Sequence, residues 1–275
     1  MGPDISIDEV SLSRGELYTI VANKQAKGRK GSTIAIIQGT RVADLVSRLE
    51  LLPLELRNQV RQVSMDMAAN MKSAVQQVFA QASIVTDRFH VVRLVNECVQ
   101  QARVKLRRQE MDTENRAIIQ ARADKKRYVG EELANGDTPK QLLARMRNTL
   151  NQPQSSWSLS QRIRMSIAFA RYPHLETTYN HAMRLRSIYE NTNKAIAAQH
   201  MRDWINDSHK YYKEEFATAA NSVSNHMDTI LNFFDHRATN ANAESFNAKI
   251  KMFRAIQKGV RDVPFFLFRL EKLFA

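Results

Sequence analysis

The pattern of this chain changes near residue 93, and that change limits the folds open to it. Before it, alternating or β-branched runs bounded by polar turns predict strands at 4–12, 16–24 and 32–39. The stretch "QAKGRKG" between the second and third reads as a hairpin loop. Val42, Leu45, Val46 and Leu49 then recur at helical spacing until Pro53 breaks the pattern. A fourth strand is expected at 62–67, a short helix over "NMKSAVQQVF", and a fifth strand within 82–92 that runs into the next helix. Three strands in meander, then helix, strand, helix, strand, describe a mixed sheet with helices packed against it. That order is the ribonuclease-H-like plan, in which the first and fourth strands lie side by side.

After residue 93 the strand signals vanish. Leu94, Val95, Cys98, Ala102 and Leu106 fall on one helical stripe, and "PHLETTYNHAMRLRSIYENTNKAIAAQHMRDWI" keeps the same period. The polar loop "LNQPQSSWSLS" at 150–160 separates subelements. The block reads as an insertion, because the chain afterwards returns to a polar turn and a helix beginning near Asn240. The expected fold is therefore α/β: a ribonuclease-H-like mixed sheet with a large all-α insertion before the C-terminal helices. Residues 1–92 form the first part of the core, 93–235 the insertion, and 236–275 the C-terminal helices of the core.

Charge and cysteine usage narrow the function classes. The 275 residues carry 41 lysines and arginines against 28 acids, a net charge of +13, so the surface field favours polyanions. Cys98 is the single cysteine, which excludes an intrachain disulfide or a cysteine-built zinc site. No signal peptide and no run of about 18 apolar residues is present, so a soluble, cytoplasmic protein with no membrane partner is expected.

Strand alternation sorts the acids. In "ISIDEV", Ile5 and Ile7 face one side while Ser6 and Asp8 face the other; in "VSMDM", Val63 and Met65 share a face opposite Ser64 and Asp66. With strands one and four adjacent, Asp8 and Asp66 approach each other and repel unless a cation joins them. Glu244, at the start of the helix after the insertion, can complete the cluster. Asp87 also ends a strand and competes with Asp66 for the second place.

Together, "SIDEVSL", "VSMDM", "VTDRFHVVRLVNE", "TNANAESFNAKIK" and the closing "GVRDVPFFLFRLEKLFA" resemble the aspartate-aspartate-glutamate (DDE) transposases of bacterial insertion sequences, in the ISL-three family. The resemblance implies that Asp8, Asp66 and Glu244 are a catalytic, metal-binding triad, and that the helical block is the insertion such enzymes carry before the glutamate. It implies two Mg2+ ions, replaceable by Mn2+, acting in DNA strand cleavage and strand transfer at element ends. Two ions about 4 Å apart suit a reaction that builds charge on phosphorus and on the leaving oxygen, and carboxylates supply the hard ligands. The implied partner is double-stranded DNA, bound by a homodimer in a bacterial nucleoid setting. The usual zinc-binding and helix-turn-helix region has no room before the first strand; either the chain is a catalytic fragment or a separate polypeptide supplies recognition.

Around the triad, Asp87 and His90 in "DRFH" read as a metal-ligating or, more simply, a hydrogen-bonded structural pair. Glu244, Asn247 and Lys251 share a helical face, which puts Asn247 beside the site and Lys251 either on a DNA phosphate or in solvent. Lys249 and Arg254 lie off that face and contribute general electrostatics. Lys24, Lys27, Arg29 and Lys30 on the hairpin loop are candidate phosphate contacts, giving affinity and salt dependence without sequence reading. Trp157 either stacks on an unpaired base or anchors helices, and Phe265 to Phe268 read as core packing with a possible dimer role. The rival readings are a ribonuclease-H-like DNA nuclease without transfer activity and a non-enzymatic DNA-binding remnant of a transposase.

Overall fold

The computed structural model describes residues 1–11, 16–237, 241–258, 260 and 262–275, without the side chains at positions 236 and 241–244. The chain divides into two compact units, Met1–Val91 with His226–Ala275, and Val92–Asn225.

The first unit is built on β1 (Asp4–Ser11), β2 (Leu17–Asn23), β3 (Thr33–Gln38), α1 (Val42–Leu49), α2 (Leu54–Asn58), β4 (Gln62–Met65), α3 (Ala69–Val78) and β5 (Ser83–Thr86). The five strands form one sheet in the order β3-β2-β1-β4-β5. β1–β2 and β2–β3 are antiparallel, whereas β1–β4 and β4–β5 are parallel. This mixed sheet with its helices is a ribonuclease-H-like α/β fold, as the strand and helix periodicities predict. α4 (Arg88–Ala123) follows β5 directly, and after the second unit come α10 (Met227–Leu231), α11 (Phe233–His236), α12 (Ala241–Ile256) and α13 (Val263–Phe274).

Period-two alternation sends Ile5, Ile7, Val21, Val63 and Met65 to one face, where they pack on Leu45 and Leu49 of α1 and Met71 and Val75 of α3. Burying each such side chain stabilises the fold by about 1.5–3 kcal/mol. The other face is covered as well. Val10, Tyr18, Ile20 and Ala22 pack there against Phe246 and Ile250 of α12 and Phe266 and Leu270 of α13. Elements more than 200 residues downstream thus cover a face that local alternation leaves open. Ser6 and Ser64, on the same face, are only 2% and 1% exposed. A buried hydroxyl needs a partner. Ser64 finds one in the Lys24 ammonium, which donates to its Oγ at 2.7 Å.

The second unit is all helical: most of α4, then α5 (Pro139–Arg145), α6 (Leu159–Arg171), α7 (Pro173–Ile188), α8 (Lys194–Tyr211) and α9 (Lys213–Asn225). α4 is one unbroken helix of 36 residues, about 54 Å long at 1.5 Å per residue. Reciprocal caps start two of the others: Thr138 with Gln141 on α5, and Ser158 with Gln161 on α6. Trp157 is buried between these helices rather than offered to solvent. Its Nε1 donates to the carbonyls of Thr149 and Gln152, and its ring packs on Phe169 and Tyr179. The anchoring role is the one it takes.

A second aromatic core surrounds His181 of α7. Its ring stacks between Trp204 and Tyr212, with centroids 5.0 and 4.1 Å away, and Phe216 meets it edge-on. Ser208 Oγ donates to the Trp204 carbonyl at 2.8 Å, so its lone pair is left to accept from His181 Nε2 at 2.7 Å. Burial among these rings pushes the imidazole pKa down to about 4, with Arg184 adding to the effect.

Candidate active site

Strand register brings two of the expected acids together. β1 pairs with β4 up to Ser6↔Ser64, two residues before Asp8 and Asp66, and the two carboxylates lie near enough for the charge of Asp66 to act on Asp8. β4 pairs with β5 at Met65↔Thr86, so one residue further Asp66 stands level with Asp87. Neighbouring strands lie about 4.8 Å apart, and residues level in a parallel pair share a face. Asp66 and Asp87 therefore follow the ends of two parallel strands, and Asp8 lies within the third strand, β1, beside them.

Their environments differ. Asp8 is held from both sides: its Oδ1 accepts from the Glu9 amide at 2.8 Å and its Oδ2 from Asn247 Nδ2 of α12 at 2.6 Å. Burial raises the Asp8 pKa, the Glu9 amide and His90 oppose that rise, and the charges of Asp66 and Asp87 add to it. Glu9 is raised in the same way, by partial burial and then by Asp66 and Asp8. Asp66 Oδ1 accepts from the Ala68 amide at 3.0 Å, in the turn that leads into α3. Asp87, 4% exposed, accepts from the Phe89 amide at 3.2 Å and so caps the start of α4.

The Asp87–His90 side-chain pair expected from "DRFH" does not form. The His90 backbone amide donates to the Asp87 carbonyl at 3.2 Å, as a first helical turn dictates, and its ring meets Phe89 edge-on. The imidazole instead acts electrostatically on Asp8. Glu244 falls within α12 by its backbone, and its side chain lies outside the described residues. One turn on, Asn247 is 8% exposed and bonded to Asp8, while Lys251 is exposed.

The loop cations divide into two kinds. Lys27, Arg29 and Lys30 are exposed, whereas Lys24 is half-buried on Ser64, two residues below Asp66. Burial lowers the Lys24 pKa, and the charges of Asp4 and Asp87 oppose this. Lys249 does more than supply general charge: its Nζ donates to the Gly28 carbonyl at 2.9 Å and ties α12 to the hairpin loop. Gly28 has φ +71°, and a Cβ there would come within 3.0 Å of that ammonium. Arg254 likewise has a structural place, pairing with Glu16 at 3.2 Å over the Phe266 ring. The terminal run is mixed: Phe266 and Leu270 are core, and Phe265, Phe268 and Leu273 are about half exposed.

Glu9 is the site neighbour that sequence reasoning missed, and Lys24, expected on a DNA phosphate, turns inward onto Ser64 instead. Glu9 follows Asp8 directly and could have been found by proximity; nothing local marks Lys24 as turning inward.

The ribonuclease-H-like sheet carries Asp8 on its first strand and Asp66 just past its fourth, and an all-α insertion interrupts the chain that builds it. The family model for transposases of the ISL-three DDE type matches residues 5–270, and the chain belongs to that family. No curated protein matches it. No helix among the described residues is long and apolar enough to cross a membrane.

Transposases of this family generally use a divalent metal, and the chemistry of the donor set suits one. Asp8 and Asp66 are hard oxygen donors whose mutual repulsion a divalent cation would relieve. Among the described residues no three His, Cys, Asp or Glu side chains form a metal-holding group. The third expected donor, Glu244, is not among those side chains.

Proposed function

We propose that this transposase cuts DNA strands at the ends of an insertion sequence and transfers the 3′-hydroxyl ends to target DNA, with Asp8, Asp66 and Glu244 as metal ligands. The observation that carries the reading is the parallel pairing of β1 with β4 two residues before Asp8 and Asp66, with the Asp8 carboxyl raised partly by the charge of Asp66. Bound Mg2+ ions, or Mn2+ in their place, would neutralise charge developing on the phosphoryl oxygens and lower the pKa of the attacking hydroxyl.

The chain's own groups do the positioning. The Glu9 amide and Asn247 Nδ2 each occupy one Asp8 oxygen and fix the plane of the carboxylate, leaving further lone pairs on both oxygens. Because Asn247 sits one turn from Glu244 on α12, the same contact also sets the helix that carries the third acid. Lys251 and the exposed loop cations Lys27, Arg29 and Lys30 suit phosphate contacts flanking the cut site. The half-exposed Phe265, Phe268 and Leu273 of α13 offer apolar surface to a second copy on DNA.

The test is cleavage of duplex DNA carrying element ends by the full chain in Mg2+, comparing wild type with Asp8→Asn and Glu244→Gln. Cleavage in the wild type and its loss in both variants is the expected result; cleavage surviving both overturns the triad. Supplying pre-cut 3′-hydroxyl ends separates a transposase, which joins them to target, from a nuclease, which does not.

A further inference from the structure

Arg103 of α4 is a buried charge with no acid to match it among the described residues. The side chain is 6% exposed; its Nε donates to Gln100 Oε1 at 2.7 Å and its Nη1 to the Leu143 carbonyl at 3.0 Å. Leu143 lies in the last turn of α5, so the guanidinium also satisfies a carbonyl that the helix leaves open. Nη2 has no acceptor among the described residues.

Two more guanidiniums stand beside it. Arg107 is one helical turn along α4 on the same face, and Arg147 follows α5, its carbonyl accepting from Gln100 Nε2 at 2.8 Å. Both are exposed. Burial and the charges of Arg147 and Arg107 all push the Arg103 pKa down. Among the described residues none of the three makes an ion pair. Nearby acids of α4 are engaged elsewhere, Glu97 with Arg93 at 2.9 Å and Glu110 with the Tyr172 hydroxyl at 2.6 Å. Clustered like charges next to a buried cation cost stability unless an anion joins them.

We propose that Arg103, Arg107 and Arg147 form a phosphate-binding site on the helical insertion, and that its occupant is a backbone phosphate of the DNA duplex. Guanidiniums suit this ligand because their planar donors match two oxygens at once. Gln100 holds the site together, accepting from Arg103 and donating to the Arg147 carbonyl and to Asn151. The inference rests on the transposase reading for the identity of the polyanion, and on these side chains for the site.

The experiment measures binding of the full chain to a duplex in EDTA, where no cleavage can occur, across a salt series. In the double variant Arg107→Gln/Arg147→Gln, affinity at 0.15 M salt is expected to fall about tenfold, and the slope of log affinity on log salt to flatten by about one. Both substitutions are on exposed side chains, so the unfolding midpoint is expected to stay put. Inorganic phosphate is expected to raise that midpoint in wild type and not in the variant. An unchanged slope and affinity overturn the proposal, as does an affinity loss that merely follows a lowered midpoint. Loss of the phosphate effect with DNA binding intact would make this a free-anion site and overturn the DNA assignment. Nicking in Mg2+ at saturating DNA keeps the two readings apart. A wild type that never nicks would strike the active-site reading while leaving the binding result in place.

Discussion

The backbone amide of Asp87 donates to the Met65 carbonyl at 2.8 Å, which sets Asp87 directly beside Asp66 at the ends of two parallel strands. Both residues follow a strand and accept from the amide two residues on, but they differ in burial. Asp87 is buried and committed to the first turn of α4, while Asp66 stands between it and Asp8 in the strand order. A helix cap lost to Asn costs little, because an amide oxygen still accepts from the backbone. A metal ligand lost to Asn removes the charge that a cation needs.

Asn247→Ala removes the donor that holds Asp8 Oδ2. Outer partners of metal ligands typically contribute 10–100-fold in metal affinity or activity. The expected outcome is a fall of that order in the Mg2+-dependent cleavage rate, partly recovered at higher metal concentration. A metal titration of the cleavage rate checks it, and Asn247→Asp should not restore activity, since it adds repulsion beside Asp8.

Trp157→Ala should destabilise the helical unit by about 3–5 kcal/mol, the usual cost of emptying a buried aromatic site. Trp204 is the other tryptophan of the chain and lies in the same unit, so its fluorescence during urea unfolding reports that unit alone. DNA affinity of the folded variant should be unchanged. A large affinity loss without destabilisation would instead point to base stacking.

The buried His181 makes the same unit sensitive to acid. Its pKa is about 4 in the fold against 6.5 when free, so between these values the unfolded chain binds the proton and the folded one does not. The stabilisation is full above about pH 6.5 and is lost as pH falls toward 4, by up to about 3 kcal/mol. Urea unfolding at pH 7 and pH 4.5, followed by tryptophan fluorescence, should show this loss in wild type and a smaller one in His181→Gln.

Much of this architecture is legible in the sequence, for physical reasons particular to each element. Ile5 and Ile7 against Ser6 and Asp8, and Val63 and Met65 against Ser64, carry the period of two that marks strands and also sorts their faces. A meander followed by a crossover helix leaves few places for the fourth strand, so the neighbourhood of Asp8 and Asp66 follows. The covering of the sheet's second face does not, because helices α12 and α13 come from the far end of the chain. Nor does the unbroken length of α4: its apolar stripe fades after Leu106, and the polar remainder carries no packing signal. The inward turn of Lys24 was hidden for a similar reason, since its partner Ser64 lies forty residues away. The Arg103 cluster is not legible either, because Arg147 joins it only through the fold.

The central claim is that Asp66, and not its neighbour Asp87, is the second metal ligand. Mg2+-dependent nicking of supercoiled DNA by the purified chain tests it most directly, with both variants first shown to be folded. The expected result is that Asp66→Asn abolishes nicking and Asp87→Asn retains most of it. Nicking that disappears in Asp87→Asn but persists in Asp66→Asn would contradict the account.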